Sequence, residues 1–305
     1  MTIDLTNPVF TDPDAARLHL ESVRWPNGPV CPHCGTVDEI GELKGKSHRP
    51  GLYKCYGCRQ QFTVTVGTVF ERSKIPLNKW LLATYLLCGS KKGISSKQIE
   101  RMLGVTYKTA WFMTHRIREA FREGKAVEAL GGPNKVVEAD ETYIGGKAKN
   151  RAFRKPRPKE AVFALVERDG KVRTKHVPNV TAKTLRKEIV TQASRKSYLM
   201  TDEAPVYRGI GREFSGHGSV NHSIDEYVRG GFWHTNTAEN YFSILKRGIN
   251  GVYQCVSPKH LKRYLGEFDF RYNTRKVDDW TRTTEALKGI EGKRVTYGGS
   301  ARAEW

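Results

Sequence analysis

The period of the hydrophobic positions changes along the 305 residues, and the changes divide the chain. Residues 1–26 read as a helical lead-in. GLYKCYGCRQQFTVTVGTVF then alternates apolar with polar side chains, the mark of a half-buried strand. GISSKQIERMLGVTYKTAWFMTHRIREAF returns to a helical period: Ser95 and Gln98 form a capping-box pattern and Ile99 and Leu103 share a face. Gly104 permits a sharp turn before a second helix. Gly131, Gly132 and Pro133 then punctuate the chain and set a boundary.

Beyond residue 135 strands take over. KVVEADETYIGG reads as a strand, and EAVFALVERDGKVRTKHV as a hairpin turning at Asp169 and Gly170. TAKTLRKEIVTQAS has a helical pattern, SYLMTDEA is an apolar strand, and after a less regular stretch to Gly231 two helices follow. Strands, helix, strand and terminal helices predict an α/β layer rather than a helical bundle. No internal repeat or low-complexity segment interrupts it.

Charge adds a partner to this picture. The chain carries 52 Lys and Arg against 32 Asp and Glu, a formal charge of +20, which favours a polyanion, with nucleic acid first and anionic lipid or a generic basic surface as the competing readings. The acidic N-terminal stretch has no apolar core of signal-peptide length. No segment approaches the roughly 20 apolar residues of a membrane span. The expectation is a soluble cytoplasmic protein without a membrane partner, associated with the nucleoid of a bacterial cell.

In that setting the cysteines read as metal ligands rather than disulfides. Cys31 and Cys34, then Cys55 and Cys58, form two CxxC pairs with 20 residues between them. Each turn points two thiolates at one ion, so the four predict a closed, structural Zn²⁺ site in a zinc ribbon. Cys88 and Cys255 lack partners at ligand spacing and are expected to be packed thiols. The helical pair that follows predicts a helix-turn-helix, with Tyr107, Lys108 and Thr109 opening the helix that would face a DNA major groove. A plain helical pair bracing two domains is the alternative. GKAKNRAFRKPRPK is basic and free of acidic residues, so Lys147, Arg151 and Arg154 are candidate backbone contacts. Lys262 and Arg263, on the helix of SPKHLKRYLGEFDFRYNTR, are further candidates.

Asp140 ends the run KVVEAD, Asp202 ends SYLMTD, and Glu239 lies on a helix, so two strand ends and a helix could bring three carboxylates together. Polynucleotide chemistry by two divalent ions needs such hard oxygen ligands. Packed without cations they would repel and one would take up a proton. Glu138 is expected on the same side of its strand as Asp140 and Glu141 on the other, bracing or tuning the site with Glu203. Lys246 follows Glu239 by two helical turns and shares its face, whereas Ala238, Phe242, Leu245 and Ile249 form an adjacent apolar stripe. His222 and His234 are candidates to orient a ligand or contact phosphate.

The ordered series CPHCG, YKCYGCRQQFTVTVGTVF, ADETYIGGK, TDEAPVY, VNHSIDEYVRG and HTNTAENYFSILKRGINGVYQC resembles the IS1595-like (ISXO2-like) insertion-sequence transposases that carry an N-terminal zinc ribbon, over nearly all of residues 25–278. The resemblance implies an RNase H-like DDE catalytic domain whose acidic triad binds two Mg²⁺ or Mn²⁺ ions and mediates DNA cleavage and strand transfer. By match to those motifs Asp140 and Asp202 look like the first two ligands. The third is Glu or Asn in this family, so Glu239, Asn236 and Asn240 stand as candidates, with Glu239 favoured by its shared face with Lys246. Lys246 resembles the lysine that holds substrate phosphate.

The implied organisation is a zinc ribbon over 27–72, a helical DNA-binding region over 73–130, a catalytic domain over 135–280 and a tail over 281–305. The implied partners are the terminal inverted repeats and target DNA, with a homo-oligomer assembled on them. A nuclease of the same fold without strand transfer, and a non-catalytic zinc-ribbon and helix-turn-helix regulator, are the alternatives.

Overall fold

The computed structural model describes residues 4–124, 128–145, 158–207, 209–220 and 234–295. The chain divides into two compact units, one of residues 1–122 with 276–305 and one of residues 123–275.

The first unit opens with helices α1 (Pro8–Thr11) and α2 (Pro13–Arg24). Asp12 starts α2 by accepting the Asp14 and Ala15 amides, and Pro13 supplies a preset φ at the first helical position. Strands β1 (Ile40–Glu42), β2 (Tyr53–Cys55) and β3 (Gln61–Phe62) form a small antiparallel sheet in sequence order. So few strand residues enclose little core. Trp25 adds to it by meeting Tyr53 and Phe62 edge-on, at 5.5 and 5.8 Å between ring centroids.

The strand-like alternation does not continue past Phe62. There the Thr68 hydroxyl donates to the Thr65 carbonyl and accepts the Phe70 amide, and Gly67 takes a φ of +74°. These local bonds fold residues 63–70 into turns that still bury Val64, Val69 and Phe70. Helix α3 (Leu77–Gly89) follows, then α4 (Ser96–Leu103) and α5 (Tyr107–Phe121). Ser95 caps α4 through the Gln98 amide, Gly104 ends it at φ 60°, ψ 45°, and Thr106 caps α5 through the Thr109 amide.

The second unit is a mixed α/β layer. Strands β4 (Val136–Ile144), β5 (Glu160–Glu167) and β6 (Val172–Val177) form an antiparallel meander, with Asp169 at φ 57° in the β5–β6 turn. Helix α6 (Ala182–Gln192) leads to β7 (Tyr198–Asp202), which pairs parallel to β4, and β8 (Gly216–Val220) pairs parallel to β7. The sheet order is therefore β6-β5-β4-β7-β8. At its entry Gly131 passes so close to Ser197 that a Cβ there would meet its Oγ at 2.1 Å. Helix α7 (Asn236–Gly248) continues through a π-helical turn (Ile249–Tyr253) to α8 (Pro258–Asn273).

Alternation along the strands builds a core on each face of this sheet. Val137, Ala139, Phe163 and Leu199 pack with Leu185 and Ile189 of α6, whereas Ile144, Val162, Ala164 and Val166 pack with Ala238, Phe242, Leu245 and Ile249. The apolar stripe of α7 thus lies on the sheet and leaves its neighbouring face to carry polar groups.

The described residues of the segment read from sequence as a tail over 281–305, which reach 295, pack within the first unit. Helix α9 (Asp279–Lys288) buries Thr283, Ala286 and Leu287, with Ile290 beyond it, at a helical period. Trp280 meets Phe10 and His19 at 6.0 and 4.8 Å, and Arg282 Nη1 donates to the Cys88 carbonyl at 2.8 Å. Among the described residues no helix is long and apolar enough to cross a membrane.

Candidate active site

Two sets of side chains have the chemistry of metal ligands. In the first unit the Sγ atoms of Cys31, Cys34, Cys55 and Cys58 all lie within 4.8 Å of one another. Cys31 and Cys58 are 3.6 Å apart and Cys34 and Cys55 3.7 Å. Tetrahedral Zn–S bonds of about 2.3 Å require sulfurs about 3.8 Å apart, so the set has the dimensions of a closed four-thiolate zinc site. Local backbone makes the turns: Gly35, at φ +80°, donates to the Cys31 carbonyl, and the Cys58 amide donates to Cys55 Sγ at 3.4 Å. Cys88 is buried in α3, as expected of a packed thiol. Cys255 is instead exposed, because it follows the π-helical turn outside either core.

The second set is acidic. Pairing of β4 with β7 sets Val136 against Tyr198, Val137 against Leu199 and Glu138 against Met200. The same register continued by two residues brings Asp140 level with Asp202 as the strands part. Asp202 Oδ1 accepts the Ala204 amide at 3.1 Å, and Asp140 Oδ1 accepts the Glu141 amide at 2.7 Å. Burial pushes the Asp140 carboxyl up to about 7, against the Glu141 amide bond, and the charges of Glu141, Asp202 and Glu239 push the same way. Three carboxylates that raise a half-buried fourth are chemically suited to a divalent cation, which would restore its ionisation. Among the described residues their oxygens do not converge as the four sulfurs do.

Beside Asp140 opens a cleft of about 710 Å³ lined by Asp140, Glu141, Thr142, Glu239, Lys246 and Arg247, with Phe242, Ser243, Asn250 and Gly251 completing the wall. Glu239 and Lys246 therefore share one cleft. Asn236 and Asn240 are exposed and do not line it. Glu141 sits on the opposite strand face from Asp140 and accepts the Tyr207 hydroxyl at the cleft margin. Burial raises its carboxyl, opposed by that hydrogen bond and aided by the charge of Asp202.

Glu138 is fully buried and shares Asp140's face. Its Oε2 accepts the Thr237 and Ala238 amides at 2.8 and 3.0 Å, and its Oε1 accepts the Thr237 hydroxyl at 2.9 Å and Arg168 Nε at 2.7 Å. His234 Nδ1 stands 3.3 Å from Oε1, within ion-pair reach but without hydrogen-bond alignment, so this histidine faces a buried carboxylate.

Residues 129–273 match the ISXO2-like transposase domain and residues 11–61 the transposase zinc-ribbon domain of IS1595 elements. An uncharacterized protein in transposable element ISH50 of Halobacterium salinarum is 30% identical over 281 residues, covering 84% of this chain and 89% of that one. The chain belongs to the IS1595 (ISXO2-like) transposase family. The matched transposase domain holds Asp140, Asp202, Glu239 and Lys246, and the matched zinc-ribbon domain holds all four ligand cysteines. Those close cysteines support a structural Zn²⁺ in this family member.

The remaining candidates are dispersed. Tyr107 and Lys108 are exposed and Thr109 half-buried at the start of α5, with Lys97 Nζ 5.9 Å from the Tyr107 ring centroid. Lys262 is exposed on α8. Arg263, expected beside it on a basic surface, is only 8% exposed, and its Nη1 lies 3.2 Å from His260 Nδ1. The next position on a helix turns by about 100°, which takes Arg263 onto the packed side. Lys147, Arg151, Arg154 and His222 lie outside the described residues.

The sequence reading did not single out Thr142, Ser243, Arg247 or Asn250 of the cleft. The signal for two of them was present: Glu239, Ser243, Lys246 and Asn250 recur at helical spacing on one face of α7 and the π-helical turn.

Proposed function

We propose that this family member is an active DDE-type transposase that binds its element's terminal inverted repeats and cuts and joins DNA at Asp140, Asp202 and Glu239. The observation that carries the reading is that Asp140, near the end of β4, shares a cleft with Glu239 and Lys246 of α7, while the β4–β7 register sets Asp202 level with Asp140 and its charge acts on that carboxyl. The sheet order, with β5 antiparallel to its neighbours and α6 joining β6 to β7, supports an RNase H-like catalytic domain. Glu239 is the third ligand because it lines the cleft and charges the surroundings of Asp140, whereas Asn236 and Asn240 do neither.

Asp140, Asp202 and Glu239 would hold divalent ions, whose contribution when bound is charge stabilisation at the attacking and leaving oxygens. Lys246 and Arg247 offer positive charge to the phosphate and orient the strand along the cleft. In cleavage a water oxygen bonds to phosphorus and the 3′ oxygen leaves as a hydroxyl. In joining that hydroxyl attacks a target phosphate and the target's own 3′ oxygen leaves. Capped turns at Ser95 and Thr106 and the left-handed Gly104 support α4 and α5 as a helix-turn-helix, with Tyr107, Lys108 and Thr109 toward DNA.

The test uses purified, zinc-loaded protein and a duplex bearing the inverted repeat that flanks the reading frame. Asp140→Asn and Asp202→Asn are expected to reduce Mg²⁺-dependent cleavage and strand transfer to background. Retained cleavage in either variant would overturn the assignment. Cleavage without joined products in the wild type would instead favour a nuclease.

A further inference from the structure

Helix α7 carries Glu239, and among the described residues its N-cap residue does not cap it through its side chain. Thr235 at the N-cap position makes no side-chain bond to the first turn. The first amides of a helix lack intrahelical partners, and leaving them unpaired in a buried place is costly. Here two of them, from Thr237 and Ala238, donate to Glu138, a residue about 100 positions earlier on a different element.

We propose that Glu138 is a positioning residue that sets the distance between Asp140 and Glu239 by capping α7 from strand β4. This inference rests on the proposed metal-binding role of that acidic set.

The physical case begins with the carboxylate itself. A fully buried charge persists only when it is paired and its lone pairs are satisfied. Glu138 meets both conditions through two backbone amides, one hydroxyl and the Arg168 guanidinium. Its negative charge also lies at the positive end of the α7 dipole, where an anion is favoured. Arg168 is fixed in turn, since its amide donates to the Val136 carbonyl at 3.0 Å and its Nη2 to the His234 carbonyl at 2.8 Å. The guanidinium thus joins the base of β4 to the chain entering α7.

Position turns this cap into a ruler. Glu138 and Asp140 are two residues apart on one strand and project from the same face. Ala238, whose amide it holds, immediately precedes Glu239. Few rotatable bonds then separate the two carboxylates: one strand step, the Glu138 bonds and one helix step. The apolar packing of Ala238, Phe242 and Leu245 on the sheet holds α7 down, but such packing is non-directional and permits sliding along the helix axis. Directed bonds to Glu138 oppose that slide.

The experiment titrates Mn²⁺ into the full-length, zinc-loaded protein, with calorimetry giving dissociation constant and stoichiometry. Asp140→Asn serves as the control for the acidic site. Glu138→Ala is expected to weaken Mn²⁺ binding by about tenfold to a hundredfold, the usual effect of removing a group that orients a ligand, with stoichiometry unchanged in the folded protein. Glu138→Gln keeps an acceptor for the two amides and is expected to recover most of the affinity. Thr237→Val removes only the hydroxyl bond at nearly constant shape. Its expected loss is about twofold to fivefold, and it keeps the test open should Glu138→Ala fail to fold. Wild-type affinity in the folded Glu138→Ala or Thr237→Val protein, with only the bound fraction reduced, would mean plain stabilisation and overturn the proposal. A wild type whose Mn²⁺ binding does not respond to Asp140→Asn would overturn the metal reading beneath it, and the proposal with it.

Discussion

Asp269 on α8 accepts the Thr174 amide and hydroxyl at 2.9 Å and the Tyr241 hydroxyl at 2.7 Å, so one carboxyl ties α8 to β6 and α7. Burial nevertheless pushes it up to about 7 from an ordinary 3.8, outweighing those hydrogen bonds. Between these two values the folded protein keeps the proton and the unfolded chain has lost it. Stability from this residue is therefore full below pH 3.8 and is lost as pH rises towards about 7. In urea unfolding from pH 5 to 8, the wild type should lose stability relative to Asp269→Asn, by at most about 3 kcal/mol. Parallel pH profiles for the two proteins would show Asp269 ionised in the fold. Asp140 has a similarly raised carboxyl with a different cause behind part of it, because neighbouring carboxylates add to its burial.

At the scale of elements, α9 is the piece whose sequence is least conspicuous and whose packing is extensive. Leu287 is 1% exposed and Ile290 equally buried, and the Ile290 carbonyl accepts the Val69 amide at 3.1 Å. Arg24 adds an ion pair to Glu291 at 2.8 Å. Leu287→Ala should destabilise the first unit by about 2–5 kcal/mol, the range for emptying a buried leucine site. Thermal unfolding followed by near-ultraviolet circular dichroism checks it, and an unchanged midpoint would show α9 to be dispensable. The contrast with α7 is instructive. Its apolar stripe and its polar face were both readable from periodicity, whereas its cap comes from another strand and leaves no local trace.

For the molecule as a whole, the two units rest on different supports. The second has a core on each face of a five-stranded sheet, but the three-stranded sheet around the cysteines has little core of its own and depends on Trp25, Tyr53 and Phe62 with the ion. Removing Zn²⁺ with a chelator should unfold the ribbon while the second unit keeps its cooperative transition. The change in tryptophan emission on chelation should be largely absent from Trp25→Phe. Equal emission changes in both proteins would show that the ribbon survives metal loss.

Much of this was legible because it is local. Two CxxC turns declare a metal site by spacing, alternation and a turn at Asp169 and Gly170 declare the β5–β6 hairpin, and the period of α7 places Glu239 and Lys246 on one face. The same local reading continued a strand through residues 63–70, where side-chain hydrogen bonds made turns, and set Arg263 on a surface that the packing of α8 turned inward. It also left residues beyond 281 as a tail, since a short helix with few apolar positions has weak periodicity until a partner surface exists. Sequence by itself determined the four-cysteine site, most element types and the family. Only the tertiary structure decided that β4 and β7 lie side by side with Asp140 and Asp202 level, and that Glu138 caps a helix about 100 residues away. Such relations depend on long-range pairing, in which each residue's environment is built by segments remote in sequence.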